Sequence, residues 1–111
     1  MRYFTSSLLA ALCMASVTLS AAEPVVFISA FASGDKAGIH AFRFDSKTGA
    51  LQPLHRTTDI QNPFFLAVSP GQRFLYAINA DKFGGADDEF VAAYALEDRT
   101  GRLKKLNQQS A

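Results

Sequence analysis

From Val25 onward, apolar residues fall in short runs broken by polar turns, without the three-to-four spacing of an amphipathic helix. Val25 to Phe31 (VVFISAF), Gly38 to Phe44 (GIHAFRF) and Leu51 to Ile60 (LQPLHRTTDI) come first. Phe64 to Ser69, Arg73 to Asn79, Phe90 to Leu96 and Arg102 to Gln108 follow. The runs are rich in β-branched and aromatic residues and are bounded by Gly, Pro, Asn and Asp, which predicts β-strands. FFLAV and FLYAI do not alternate between apolar and polar, as expected of strands covered on both faces.

The pattern repeats. Ile39 aligns with Val91, Ala41 with Ala93, Phe42 with Tyr94, Phe44 with Leu96, Gly49 with Gly101, Leu51 with Leu103 and Leu54 with Leu106, at a constant offset of 52. DSKTG and EDRTG both end in Gly, where a residue at positive φ closes a longer hairpin loop. A strand precedes each hairpin, and before the second stands one more strand and a Pro-Gly turn. The later unit therefore has four strands and the earlier has three, its first strand missing. Four-stranded antiparallel units of about 40–50 residues packed face to face are propeller blades. The expected fold is all-β, with an incomplete blade over residues 23–60 and a complete one over 61–111. A small β-sandwich with one sheet from each unit is the alternative.

Residues 1–22 read differently. Arg2 is the only charge before Glu23, Leu8 to Leu19 is mostly apolar, and Ser20 and Ala22 occupy the −3 and −1 positions of a cleavage site. That is the pattern of a secretory signal peptide, with an expected signal helix and a cut after Ala22. The apolar run is shorter than the roughly 20 residues of a membrane span. Removing 22 of 111 residues leaves 89, carrying 10 basic and 10 acidic side chains and no cysteine, since Cys13 departs with the leader. The balanced charge argues against a nucleic-acid surface. Without disulfides, packing alone must hold the domain in the secreted or periplasmic space.

The succession VFISAFASGDKAGIHAFRFDSKTGALQPL, NPFFLAVSPGQRFLYAIN and FVAAYALEDRTGRLKKLNQQSA resembles the start of the lactonase family of seven-bladed propellers. That family includes bacterial 6-phosphogluconolactonase and related cyclising enzymes of muconate metabolism. The resemblance implies a carbohydrate-metabolism hydrolase acting on a sugar lactone, with no cofactor. The turn departs from the family's usual Ser-Pro-Asp-Gly, reading Ser69-Pro70-Gly71-Gln72, and Ala80 stands where the family often has an acid. The family closes its ring with a C-terminal strand in the first blade, which accounts for the missing strand before Val25. On this reading the chain is the N-terminal part of a lactonase propeller and is inactive alone. The competing expectation is a non-enzymatic secreted binding scaffold, because fold does not fix function.

No Gly-x-Ser-x-Gly, His-Glu-x-x-His or Gly-x-Gly-x-x-Gly motif occurs, and the catalytic residues are unknown. His40, in a strand beside Phe42, reads as packed or at an edge; His55 is the other histidine. Asp81 to Glu89 clusters acids but lacks the alternating ligands of a calcium loop, so no metal is expected. In a propeller blade, the loops Ala32–Lys36, Asp59–Pro63 and Asn79–Glu89 share one face, and the tight turns share the other. Loops at the mouth of a rigid β scaffold carry binding residues, and Asn62 and Asn79 lie nearest the axis in this scheme. They are the candidate substrate-binding pair, with turn formation and strand termination as their plain structural roles. The expected partners are a small-molecule lactone for the complete propeller and other chains recruited through exposed blade edges. No membrane partner is expected once the leader is removed.

Overall fold

The computed structural model describes residues 22–32, 34–82 and 89–111. The leader, with its expected signal helix, and most of the acidic loop lie outside the described residues. Seven strands form two antiparallel sheets: β1 (Val25–Ala30), β2 (Gly38–Phe44) and β3 (Leu51–Thr57) in one, and β4 (Pro63–Val68), β5 (Phe74–Ala80), β6 (Glu89–Leu96) and β7 (Leu103–Ser110) in the other. Each sheet is a meander in chain order, as expected of a three-stranded and a four-stranded propeller blade. Among the described residues the only helical element is the 3-10 turn Gly34–Lys36.

The repeat carries over into backbone geometry. Phe42 pairs with Pro53 and Tyr94 with Lys105, both shifted by the same offset. Both hairpins change register at one place, between Ala41 and Phe42 and between Ala93 and Tyr94. The turn glycines agree as well, with φ of 77° at Gly49 and 81° at Gly101. A bulge adds a residue and increases the local twist, so the shared bulge gives the two blades the same twist.

The β3 strand stops earlier than its apolar pattern suggests. It ends at Thr57, and Ile60 leaves the ladder to become a buried plug in the linker between the sheets. Ile39, Ile60, Leu75, Ala77, Ala92 and Tyr94 form the core, with Phe27, Leu66, Leu96 and Leu103 packed against it. The core is therefore the layer between the sheets. Gly101 makes the closest approach across it: a Cβ there would lie 2.4 Å from the Ala41 Cβ. Phe65 and Tyr76 stay exposed on the far face of the second sheet, and Ile28 on the far face of the first.

Candidate functional site

The linker Thr58–Asn62 joins the outermost strand of one blade to the innermost strand of the next. Asn62 takes a left-handed conformation (φ 44°), which Asn tolerates better than most residues. Its Nδ2 donates to the carbonyls of Ala80 (3.0 Å) and Asp81 (3.3 Å). Pro63, the next residue, is buried and pairs with Asn79. The two candidate asparagines are thus brought together at one end of the second sheet, beside the start of the acidic loop.

Their situations differ. The Asn62 carboxamide fastens the end of β5 to the linker. Asn79 is 2% exposed, and its Oδ1 has no hydrogen-bond partner. Asn79 shares a strand face with Leu75 and Ala77, so it belongs to the layer between the sheets. Thr57 pairs with Ile39 across the first sheet and faces the same layer, and its buried Oγ1 is also unpartnered. Both strands end at the linker, so the two orphan acceptors sit at its end of the seam. A buried polar group without a partner costs about 1–3 kcal/mol.

A third polar feature spans the seam. The Tyr94 hydroxyl, on a fully buried side chain, donates to Asp59 Oδ1 at 3.1 Å. Lys105 Nζ donates to the Asp59 carbonyl and lies 5.9 Å from the Tyr94 ring centroid. Burial, and then the Asp59 charge, raises the Tyr94 pKa well above its ordinary value. The linker is therefore pinned by Asn62 on β5 and by Asp59 on β6 and β7. Sequence reasoning missed the Asp59 contact; its one trace is that Tyr94 aligns with Phe42, so a hydroxyl is added at a repeated aromatic position.

The histidines take local roles. His40 stacks on Phe42 with ring centroids 6.3 Å apart, and its Nε2 lies 3.0 Å from the Lys36 carbonyl. Arg56 Nη1 donates to the carbonyls of Gly34 and Ala37, each at 3.1 Å, holding the loop before β2. Among the described residues, no three His, Cys, Asp or Glu side chains gather as metal ligands. An open groove of about 760 Å³ lies at the other end of the seam, near the tight turns, with Val25, Phe27, Val68 and Leu96 in its lining.

The sheet order, the shared bulge and the linker geometry are those of consecutive blades. The family model "Lactonase, 7-bladed beta-propeller" matches residues 25–111. The chain belongs to the lactonase family. It is 33% identical over 72 residues to the 6-phosphogluconolactonase of Formosa agariphila, covering 65% of this chain and 20% of that protein. It is 31% identical over 84 residues to the Bacillus subtilis 6-phosphogluconolactonase, covering 75% of this chain and 23% of the relative. The crystal structure of a Bacteroides fragilis protein assigned as a 6-phosphogluconolactonase superposes with a TM-score of 0.68 at 31% identity, over 79% of this chain and 24% of that one. The lactonase-family chain thus spans about a fifth to a quarter of the length of these relatives.

Proposed function

We propose that residues 25–111 form part of the wall of a propeller that hydrolyses a sugar lactone, a 6-phosphogluconolactone-like ester, outside the cytoplasm. The observation that carries this reading is the family match across every described strand. Lactone hydrolysis needs a water activated by a base and donors for the developing oxyanion. Neither described sheet brings such a constellation together, so the acid–base groups come from further blades and this chain alone does not turn over substrate. Its contribution is at the linker end of the seam. Asn62 fastens the β5 end at this rim, and the buried, unpartnered Asn79 Oδ1 lies just behind it, where a sugar hydroxyl reaches it only when the β5 end moves aside. The apolar leader with Ser20 and Ala22 at its end supports export with cleavage after Ala22. Mass spectrometry of exported chain should then find Glu23 as the first residue; retained leader would remove the case for export.

The test of function is a chimaera. Residues 25–111 replace the matching blades of the Bacillus subtilis relative, and hydrolysis of phosphorylated and plain gluconolactones is measured. Turnover of a lactone is expected from the chimaera and none from the chain alone. A folded chimaera that binds the lactone without hydrolysing it would favour a binding scaffold instead.

A further inference from the structure

Glu23 and Pro24, the two residues after the proposed cut, are already tied into the fold. Arg99 Nη2 donates to the Glu23 carbonyl at 2.8 Å, and Arg43 Nε lies 3.8 Å from Glu23 Oε2. The Phe44 N–H donates to the Pro24 carbonyl at 2.9 Å. The second unit repeats that last bond, from the Leu96 N–H to the Arg73 carbonyl at 2.9 Å, so Pro24 stands on the first rung of its blade. Ala22, on the other side of the cut, lines a groove together with Asp98 and Arg99. The Ala22–Glu23 bond therefore lies against the EDRTG turn of the second blade.

The turn that carries Arg99 is held on both sides. Asp98 Oδ1 accepts from the Thr100 N–H at 2.8 Å and also from the Thr100 hydroxyl. Gly101 sits against Ala41 and Leu54 of the first blade. Arg99 is thus aimed at Glu23 by the packing of one blade on the other. Its bond spans 76 residues of sequence. It forms only when the second blade is present through this turn and seated on the first. Any further blade covers this corner more and uncovers none of it.

We infer that the leader is cut away before the two blades close, so that the chain crosses its membrane unfolded. The inference rests on the export reading given above. A peptidase takes its substrate as an extended stretch running through the cut, and a folded chain is cut only from its opened state. Here the opened state gives up the Arg99 bond, the Arg43 ion pair and the first ladder bond together, because all three fall within two residues of the cut. While Arg99 has yet to emerge, Glu23 has no partner across the seam and the Ala22–Glu23 amide is open to attack. Hydrolysis by water leaves a carboxylate on Ala22 and an ammonium group on Glu23. The Glu23 carbonyl is not consumed, so the latch closes on the cut chain as the blades pack. A chain that folded before crossing would reach the peptidase with this bond already latched.

A purified bacterial leader peptidase in detergent micelles tests this, with mass spectrometry reading Glu23 as the new first residue. Its substrates are the folded full chain and a peptide of residues 1–31, which lacks Arg99 and both hairpins. The peptide should be cut after Ala22, and the folded chain about a hundredfold more slowly, the combined weight of three contacts of ordinary strength. Arg99→Ala should speed the folded chain about three- to tenfold, as expected for one lost hydrogen bond. Tyr94→Phe loosens the blades without touching Glu23 and should leave the rate nearly unchanged. Should Arg99→Ala fail to fold, the comparison of folded chain with peptide still decides. Equal rates for the two would overturn the inference and leave the leader reading intact, whereas an uncut peptide would remove both. Equal acceleration by Tyr94→Phe and Arg99→Ala would assign control to unfolding of the whole domain and overturn the latch.

Discussion

The Tyr94 hydroxyl reaches Asp59 Oδ1 across 35 residues of sequence and ties the second blade to the linker that leaves the first. Tyr94→Phe removes this bond and keeps the ring, with the aromatic side chain that its repeat equivalent, Phe42, already has. Asp59 is exposed and stays hydrated after the loss, which puts the cost at the low end for a charge-assisted bond, about 1 kcal/mol. Urea unfolding of the two proteins measures it. Equal midpoints would mean that the bond contributes nothing to holding the blades together.

The same bond gives a sign for alkaline pH. Burial first, and the Asp59 charge second, raise the Tyr94 pKa above its ordinary value of 10.0. The folded chain therefore keeps this proton where the unfolded chain gives it up. The stabilisation is complete below pH 10.0 and is lost as pH rises beyond it. Tyr94→Phe lacks this titration, so the advantage of the parent chain should shrink above that pH. A constant gap through the alkaline range would contradict the assigned burial.

Gly49 and Gly101 share a left-handed φ but not an environment. An added Cβ at Gly49 meets nothing within 4 Å, whereas at Gly101 it would lie 2.4 Å from the Ala41 Cβ. Gly49→Ala should cost about 1–2 kcal/mol, the strain of a left-handed non-glycine residue. Gly101→Ala adds overpacking between the sheets, for a total of about 2–4 kcal/mol. Thermal unfolding of both variants checks the order. Equal losses would place Gly101 outside the interface between the blades.

Much of this architecture was legible in the sequence because the repeat fixes more than strand identity. A constant offset carries turn and register together, so Gly49 predicts Gly101; the bulges beside Phe42 and Tyr94, which no sequence pattern announced, fall at the same repeat position. Strand ends were less legible. The apolar Ile60 looks like a continuation of β3, yet burial as a plug in the linker outweighs extension of the ladder. The nearness of the two candidate residues was legible: the propeller scheme brings Asn62 and Asn79 to one end, and Pro63 pairs with Asn79 there. Their different roles were not, because the hydrogen bonds of Asn62 depend on its left-handed φ. The Asp59–Tyr94 bond is long-range and leaves no local pattern.

The SPGQ turn has its glycine one position early. Gln72, rather than Gly71, adopts positive φ (56°), while Gly71 does not need it. In the Ser-Pro-Asp-Gly form common in the family, glycine falls at this left-handed position. Gln72→Gly should relieve about 1 kcal/mol of left-handed strain, and the added freedom of glycine in the unfolded chain offsets about half. A net gain near 0.5 kcal/mol is expected, and Gly71→Ala in the same chain should add a similar amount by restricting the unfolded state. Chemical denaturation measures both. A loss on Gln72→Gly would mean that the Gln72 side chain contributes more than its backbone strain costs.

Asn62 and Asn79 should separate stability from function. Asn62→Ala removes two donated bonds and leaves alanine at a left-handed φ, so it should destabilise by about 1–2 kcal/mol. Asn79→Ala removes an acceptor that already lacks a partner. Relief of the orphan offsets the lost packing, and the net change should stay within about 1 kcal/mol. Function should respond in the opposite order. In the chimaera, Asn79→Ala should lower lactone turnover about tenfold, the effect of roughly 1.4 kcal/mol of lost transition-state binding. Asn62→Ala should act mainly through the folded fraction, and recover when assayed well below its unfolding midpoint. Unfolding curves and initial rates on the same preparations make the comparison. If Asn79→Ala unfolds the chain as readily as Asn62→Ala does and leaves turnover per folded molecule unchanged, Asn79 is a structural residue and the lactone contacts other groups.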